Sequence, residues 1–304
     1  MPARFSALLH LVRAHILAIA CLAALTFGWL MTGRYLWAAA LFCAIDWCVV
    51  NLVNRVVDLA EDRVNGIPGT DVVAARGVWL ERGCWLLLVG SLAVGHVFWP
   101  ALTPWRVAFG AIGLAYNYRL LPGWLRRFRP AAVLGSPAWT RFKELYFWKN
   151  FSSGVLFLLS TLAYPAVVGG VQPSIAWLAV VIGFFLPLEI TYEIIYDLRD
   201  VPGDTQEGVP TFPVVHGEAV SHGIIWVLLA LSAASLVAGA TAGVIGLAAF
   251  VLVGGTIQQA IYFGARIQKG ATAARCTFLT WLGAAQIAAY HAWIALGLPT
   301  TWPL

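Results

Sequence analysis

Charged residues are scarce in this sequence. Asp, Glu, Lys and Arg together make up 11% of its 304 residues, against roughly 25% in an average soluble domain. Hydrophobic residues make up 61%, and the mean hydropathy is +0.80. This balance excludes a soluble globular enzyme, a disordered chain and a disulfide scaffold. It predicts a membrane protein that crosses the bilayer many times.

Cysteine is scarce as well. The five cysteines form no CxxC pair, and the six histidines have no metal-ligand spacing, so neither a zinc site nor a disulfide framework is indicated. The formal net charge of +5 would suggest a nucleic-acid partner in a soluble protein. In a membrane protein the basic residues instead set the topology, and we expect no nucleic-acid partner.

Long apolar runs fill most of the chain. Each is close to the ~20 residues that one membrane-spanning helix needs, and backbone groups in lipid must be satisfied within a helix. We predict an all-α membrane protein with one domain over residues 1–304 and nine transmembrane helices in a bundle. The predicted segments are 15–33, 35–54, 79–99, 101–118, 148–170, 174–196, 219–240, 242–264 and 276–298.

Lysine and arginine predict the orientation. With the N-terminus in the cytoplasm, only Arg34 and Arg106 of the 19 basic residues fall on the outer side, as the positive-inside rule requires. We expect no cleaved signal peptide, because the first apolar run is long enough to span the membrane. The cytoplasmic set includes Arg4, Arg126, Arg127 and Arg129.

Two acidic clusters follow the second and sixth apolar runs, and both fall on the cytoplasmic side. In the first, Asn54, Asp58 and Asp62 are spaced i, i+4 and i+8, so a continuing helix would align them on one face. Their oxygen atoms suit a hard cation such as Mg²⁺, which takes few carboxylates and completes its shell with water or phosphate oxygens.

The second cluster contains Asp197, Asp200 and Asp204. The first two can share a helical face, and we expect Pro202 and Gly203 to break the helix before Asp204. One acidic cluster in a loop is more often a solvated cap. Two clusters on one side of the membrane favour a site for a diphosphate, because bound metal ions reverse the local charge.

At these residues the chain resembles the UbiA superfamily of intramembrane prenyltransferases. The first family motif, N(D/Q)xxDxxxD, reads Asn54-Arg-Val-Val-Asp58-Leu-Ala-Glu-Asp62 here. The second, a DxxxD type with a following glycine and Thr-x-Pro, reads Asp200-Val-Pro-Gly-Asp204, then Gly208, Thr211, Pro213 and Gly217. The predicted nine helices also match, so the resemblance covers nearly the whole chain.

The chain departs from the family pattern in two places. Arg55 stands where the family usually has Asp or Gln, and the basic stretch common after the first motif is missing. Other arginines, such as Arg63 or Arg76, are then candidates for diphosphate contacts.

The resemblance implies a transferase that uses an isoprenoid diphosphate donor and an aromatic or other lipophilic acceptor. Two Mg²⁺ ions on the diphosphate would assist its departure, and the allylic carbocation would form in a lipid-embedded cavity that excludes water. The implied metal set is Asn54, Asp58, Asp62, Asp197, Asp200 and Asp204. The implied catalytic residues are Asp58, Asp62, Asp200, Asp204 and Glu193.

The candidate substrate-binding residues are Asn54, Arg13, Arg63, Tyr116, Lys143, Lys149, Asn150 and Glu189. Several have a simpler interpretation. Lys143 and Lys149 could be snorkelling lysines, Arg13 a topology residue and Tyr116 part of an aromatic belt. Glu189 lies about 12 Å deeper than Asp197 at 1.5 Å per residue. It could bind the acceptor, remove the final proton or make a structural hydrogen bond.

Three other functions are considered. A UbiA-type terpene cyclase would use the prenyl diphosphate without an acceptor. A transporter would show inverted repeats and ion sites at mid-membrane, and neither is evident. A CDP-alcohol phosphotransferase needs a differently spaced aspartate signature. We therefore expect a prenyltransferase in the bacterial cytoplasmic membrane, with its active site facing the cytoplasm and membrane lipids around it.

Overall fold

Helices form nearly all of the regular structure in the computed structural model, which describes residues 9–125 and 138–302. Arg4, Arg126, Arg127 and Arg129, which we assign to the cytoplasmic side, lie outside these ranges. The one pair of strands in the described part of the chain, β1 (Leu121–Pro122) and β2 (Trp139–Thr140), is a short antiparallel ladder.

Thirteen α-helices are described. They are α1 (Ala14–Thr32), α2 (Trp37–Val57), α3 (Leu59–Val64), α4 (Thr70–Phe98), α5 (Thr103–Asn117), α6 (Trp148–Leu158), α7 (Tyr164–Gly169), α8 (Ile175–Glu207), α9 (Phe212–His216), α10 (Glu218–Thr241), α11 (Leu247–Phe250), α12 (Val253–Ala265) and α13 (Ala273–Ala295). Short 3₁₀ turns at Pro100–Leu102, Gly123–Leu125, Phe142–Glu144 and Ile267–Lys269 connect several of them.

Seven helical segments of the described chain are long and apolar enough to cross a membrane. They are Ala14–Thr32, Trp37–Val57, Thr70–Phe98, Trp148–Gly169, Ile175–Glu207, Glu218–Thr241 and Leu247–Lys269. The other two predicted segments coincide with α5, which has 15 residues, and α13, which has 23. The protein is therefore a helical membrane protein, while the count of nine spans stays a prediction.

One span contains a π-helical segment. Leu159–Ala163 joins α6 to α7, and Pro165 stands at the start of α7. Proline lacks the N–H of a regular helical hydrogen bond, and the wider π turn accommodates that loss. Ser160 in this segment accepts a hydrogen bond from Trp47 Nε1 at 3.0 Å. The irregular turn thus connects this span to α2.

Aromatic side chains form the centre of the bundle. The ring of Trp47 lies 5.6 Å from that of Phe109 and 4.1 Å from that of Phe157, measured between centroids. All three are buried. Because these residues come from α2, α5 and α6, their contacts fix the three helices around one core.

A buried ion pair ties α2 to α5. Arg106 donates from Nε to Asp46 Oδ2 at 2.9 Å and from Nη2 to Asp46 Oδ1 at 2.5 Å. It also donates to the Ser91 carbonyl, and Tyr164 donates to Asp46 Oδ2. Asp46 and Arg106 are 2% and 1% exposed. Arg106 is therefore a structural residue between helices as well as one of the two basic residues assigned to the outer side.

The helix through the first motif is interrupted. A continuing helix would align Asn54, Asp58 and Asp62 on one face, but α2 ends at Val57 and Asp58 has φ −96° and ψ 24°. Its carboxylate is held by Arg141 at 2.8 Å and by Lys143 at 2.7 Å. These ion pairs favour the kink, and α3 starts anew at Leu59.

The helix through the second motif is continuous, contrary to our expectation of a break before Asp204. α8 runs past Pro202 to Glu207 and ends where Gly208 adopts a left-handed conformation, with φ 67°. The N–H of Gly203 donates to Asn65 Oδ1 at 3.0 Å. This contact from Asn65, the residue that follows α3, supports the backbone beside Pro202, so the helix can continue.

Candidate active site

Both acidic motifs line one cavity of about 550 Å³. Asn54, Asp58 and Asp62 line it from the first motif, and Asp197 and Asp200 from the second. The two clusters are separated by more than 130 residues in sequence, yet they face the same space at one end of the bundle.

A close contact between α3 and α8 joins the motifs. Besides accepting from the Gly203 N–H, the Asn65 amide lies where a side chain at 203 would be. A Cβ at that position would stand 2.5 Å from Asn65 Nδ2 and 2.7 Å from Oδ1. A side chain at residue 203 would therefore displace the Asn65 amide that contacts the second motif.

Asp58 is the most heavily paired acid of the first motif. Arg141 and Lys143 contact its two oxygens, and Asn54 Nδ2 donates to Oδ2 at 2.5 Å. Burial would raise the pKa of Asp58, but Lys143 and Arg141 outweigh it and hold the pKa below its usual value. Asp58 is therefore an anion ready to contact a cation.

Lys143 also holds Glu61, at 2.5 Å from its Oε2. Burial raises the pKa of Glu61, and Lys143 opposes that shift. Burial likewise raises the pKa of Asp62 against the charges of Arg13 and Arg55. These acids need nearby cations to stay charged.

In the second motif, Asp197 accepts from Lys149 Nζ and from Asn150 Nδ2, the latter at 2.8 Å. Asp204 lies 3.5 Å from the same Lys149 Nζ. Its other oxygen, Oδ1, is buried and has no hydrogen-bond partner. Asp200 is paired with Arg199, whose guanidinium lies 4.8 Å from the ring centre of Tyr196.

The donor set suits magnesium together with a phosphate group. Within residues 9–125 and 138–302, no three His, Cys, Asp or Glu side chains are grouped closely enough to enclose a metal ion by themselves. The motif acids are paired with lysine or arginine instead. Mg²⁺ accepts few carboxylates and takes its remaining ligands from water or phosphate. Asp204 is fully buried and does not line the cavity, but its Oδ1 has no hydrogen-bond partner. The residues present therefore fit Mg²⁺ that arrives with a diphosphate.

Most of the predicted substrate-binding residues border this cavity. Arg13, Tyr116, Lys143, Lys149, Glu189 and Glu193 all line it. Asn150 does not line the cavity, but it donates a hydrogen bond to Asp197, which does.

Arg63 and Arg76 are placed elsewhere. Both are exposed and neither lines the cavity. The basic side chains that do reach it, besides those predicted, include Arg199, which sequence reasoning missed. Its position beside Asp200 in the sequence could have identified Arg199 as a residue of the site.

Three further residues at the site were missed. Arg55, Glu61 and Arg141 each pair with a motif acid or a motif-holding lysine. Arg55 and Glu61 lie inside the first motif, so their position was a signal. Arg141 is 83 residues from Asp58 and only the fold reveals the contact.

An apolar chamber of about 90 Å³ continues from the main cavity towards the other end of the bundle. The two share Ile19, Phe157, Glu189 and Tyr192. Glu189 is 7% exposed, and it stands at the junction. An apolar tail whose polar head lies among the motifs would therefore meet hydrophobic walls.

The model of the UbiA prenyltransferase family matches residues 128–283. The chain belongs to this family. That confirms the resemblance inferred from the two motifs. None of the curated proteins matches the sequence.

Solved structures share the family's fold at low sequence identity. A UbiA homologue from Archaeoglobus fulgidus bound to GPP and Mg²⁺ is 18% identical with a TM-score of 0.67, over 94% of this chain and 99% of that one. The DMAPP and Mg²⁺ complex of a homologue from the same organism is 16% identical, with a TM-score of 0.64 over 94% and 98%. An apo UbiA homologue from Aeropyrum pernix K1 is 17% identical, with a TM-score of 0.57 over 94% and 98%.

Proposed function

We propose that this UbiA family member transfers a prenyl group from an isoprenoid diphosphate to an aromatic or other lipophilic acceptor. One observation carries the proposal: both aspartate motifs line a single cavity that also presents lysine and arginine. Family membership and the fold shared with homologues bound to GPP or DMAPP with Mg²⁺ support it.

The basic side chains bind the diphosphate. Lys143, Lys149, Arg13 and Arg199 line the cavity. Lys143, Lys149 and Arg199 now hold carboxylates, and in the complex they turn towards phosphate oxygens. Their charge-assisted hydrogen bonds orient the diphosphate and stabilise the negative charge that grows as it leaves.

The acids hold magnesium. Asn54, Asp58 and Asp62 from one side, with Asp197, Asp200 and Asp204 from the other, would be its ligands. When bound, Mg²⁺ neutralises charge on the departing diphosphate. Lys149 forms ion pairs with both Asp197 and Asp204. Its movement towards the diphosphate would leave both carboxylates free.

The apolar wall protects the allylic cation. Trp47, Tyr116, Phe157 and Tyr192 line the cavity, and their ring faces attract a cation while they exclude water. Glu189 and Glu193 precede Asp197 on α8, about two helical turns and one helical turn, respectively, further from the motif end of the bundle. Glu193 accepts a hydrogen bond from Ser153 at 2.7 Å. We assign Glu189 to the acceptor or to the final proton, and Glu193 to support of the same step.

Orientation and location belong to the same proposal. We infer nine spans, with the N-terminus and the active site on the cytoplasmic side of a bacterial inner membrane. The seven spans of the described residues and the positive-inside pattern support this arrangement.

The test is mass spectrometry of products from purified protein supplied with prenyl diphosphates of graded length and a panel of aromatic acceptors. We expect a prenylated acceptor, formed with Mg²⁺ and absent with EDTA. A cyclic hydrocarbon from prenyl diphosphate alone would instead establish the terpene cyclase, the second candidate. Neither product, with folded protein and every donor length, would contradict both.

A further inference from the structure

Arg55 occupies an enclosed position at the first motif. Its side chain is fully buried, and it donates to Asp62 Oδ2 at 2.5 Å and to the Pro68 carbonyl at 2.7 Å. It does not line the cavity. Arg55 therefore cannot reach a ligand in the cavity, and it acts there through Asp62.

The other motif acids each have a counter-ion of a different kind. Lys143, Lys149 and Arg199 hold Asp58, Asp197 and Asp200 respectively, and all three basic side chains line the cavity. An incoming anion can draw them away, although Asp58 also keeps Arg141, which does not line the cavity. Arg55 is fully buried behind Asp62 and Pro68, the two lining residues that it contacts, and its Nε has no hydrogen-bond partner. Among the described residues, Asp62 is thus the motif acid whose salt bridge is made to a permanent counter-ion alone.

A permanent counter-ion lowers the metal affinity of the first motif. Arg55 occupies one oxygen of Asp62 and cancels its charge, so a divalent ion meets fewer free oxygens and a weaker negative potential. Mutation of a supporting partner behind a ligand typically costs roughly 10- to 100-fold in metal affinity, and removal of a cation that competes for the ligand should have an effect of that size in the opposite direction. A diphosphate in the cavity would supply both the missing charge and the missing oxygens.

We propose that Arg55 is a positioning residue that makes the first motif bind divalent metal only together with a diphosphate. The proposal rests on the proposed function, since it assumes that this motif binds metal at all. Its consequence is a coupled order of assembly, in which the metal does not occupy the site before the substrate arrives.

Titration of Mn²⁺, followed by electron paramagnetic resonance on detergent-purified protein, tests the proposal with and without inorganic pyrophosphate. We expect wild type to bind Mn²⁺ tightly only with pyrophosphate. Arg55→Gln should gain a site without pyrophosphate that is roughly 10- to 100-fold tighter than in wild type. The gain should disappear in Arg55→Gln/Asp62→Asn. Arg34→Gln removes the same charge from an exposed position at the opposite end and should behave as wild type.

The outcomes separate the two proposals. If wild type binds no Mn²⁺ even with pyrophosphate, the proposed function fails. If wild type shows the coupling and folded Arg55→Gln titrates like wild type, only the role of Arg55 is overturned. Should Arg55→Gln not elute as a folded protein, Arg55→Met, which keeps a long side chain and removes the charge, is titrated in the same way and decides. Tight Mn²⁺ binding without pyrophosphate, lost in Asp62→Asn, would overturn the proposal.

Discussion

At the scale of single residues, the acids of α8 have distinct surroundings. Asp197 is held by Lys149 and Asn150, whereas Glu189 is buried at the junction of the main cavity and the apolar chamber. Under the proposed function, a carboxyl group in that position would face the organic part of the substrate and be remote from the diphosphate. Its role in the chemistry can therefore be separated from metal and diphosphate binding.

We predict that Glu189→Gln lowers the rate of acceptor prenylation by about 10²- to 10⁴-fold, the usual contribution of a general base. Affinity for pyrophosphate with Mg²⁺ should stay unchanged. Product formation measured by mass spectrometry, beside equilibrium binding of pyrophosphate, checks both parts. Glu207→Gln, at an exposed position of the same helix, is the matched control. Equal losses of rate and of pyrophosphate affinity would indicate a packing role.

The Asp46–Arg106 pair is a second residue-scale feature, and it concerns stability. Asp46→Asn leaves the buried guanidinium of Arg106 without its counter-ion, and removal of one partner of such a pair costs about 3–5 kcal/mol. We expect a clearly lower melting temperature in detergent, partly recovered by Asp46→Leu/Arg106→Met. Exposed Asp71→Asn should melt as wild type does. An unchanged melting temperature for Asp46→Asn would mean that the pair is not needed for the fold.

The residue types and their spacing predicted which acids lie at the site better than they predicted the ion pairs that those acids form. The spacing of Asn54, Asp58 and Asp62 was enough to place oxygen ligands together. It did not reveal Arg141, because that contact spans 83 residues and depends on how the chain returns to the motif. Arg63 and Arg76 were candidates for diphosphate contacts, and neither lines the cavity, since charge near a motif does not say which way a side chain points.

At the scale of secondary-structure elements, the contact between α3 and α8 decides whether the two motifs form one site. It depends on the missing side chain at Gly203 and on the Asn65 amide. The local rule that proline and glycine end a helix failed here because a neighbouring element supplies a hydrogen bond. At Asp58 the helix does not continue through the first motif, where ion pairs to Arg141 and Lys143 hold the carboxylate.

We predict that Gly203→Ala raises the KM for a prenyl diphosphate by about fivefold. The new Cβ displaces Asn65 and removes a hydrogen bond worth about 1 kcal/mol, and 1.4 kcal/mol is a factor of ten. The measurement is steady-state pyrophosphate release. Gly223→Ala, where nothing lies within 4 Å of the added Cβ, should match wild type. Identical KM values for the two variants would rule out this contact as the link between the motifs.

At the scale of the whole molecule, the apolar runs predicted the positions of the helices, because lipid leaves the backbone few alternatives. All nine predicted segments overlap a helix, and seven helices of the described chain have the length and composition to span a membrane. How the helices arrange around a cavity was not predictable from hydropathy. That arrangement depends on side-chain contacts such as Trp47 with Phe109 and Phe157.

Equilibrium binding of pyrophosphate to the purified protein, with and without Mg²⁺, tests the shared site most directly. If both motifs grip one anion, Mg²⁺-dependent binding and turnover should be lost in Asp58→Ala and equally in Asp200→Ala. Asp71→Ala, outside the cavity, should bind as wild type does, and all three variants should remain folded. Wild-type affinity in either motif variant would contradict a single magnesium–diphosphate site built from the two motifs.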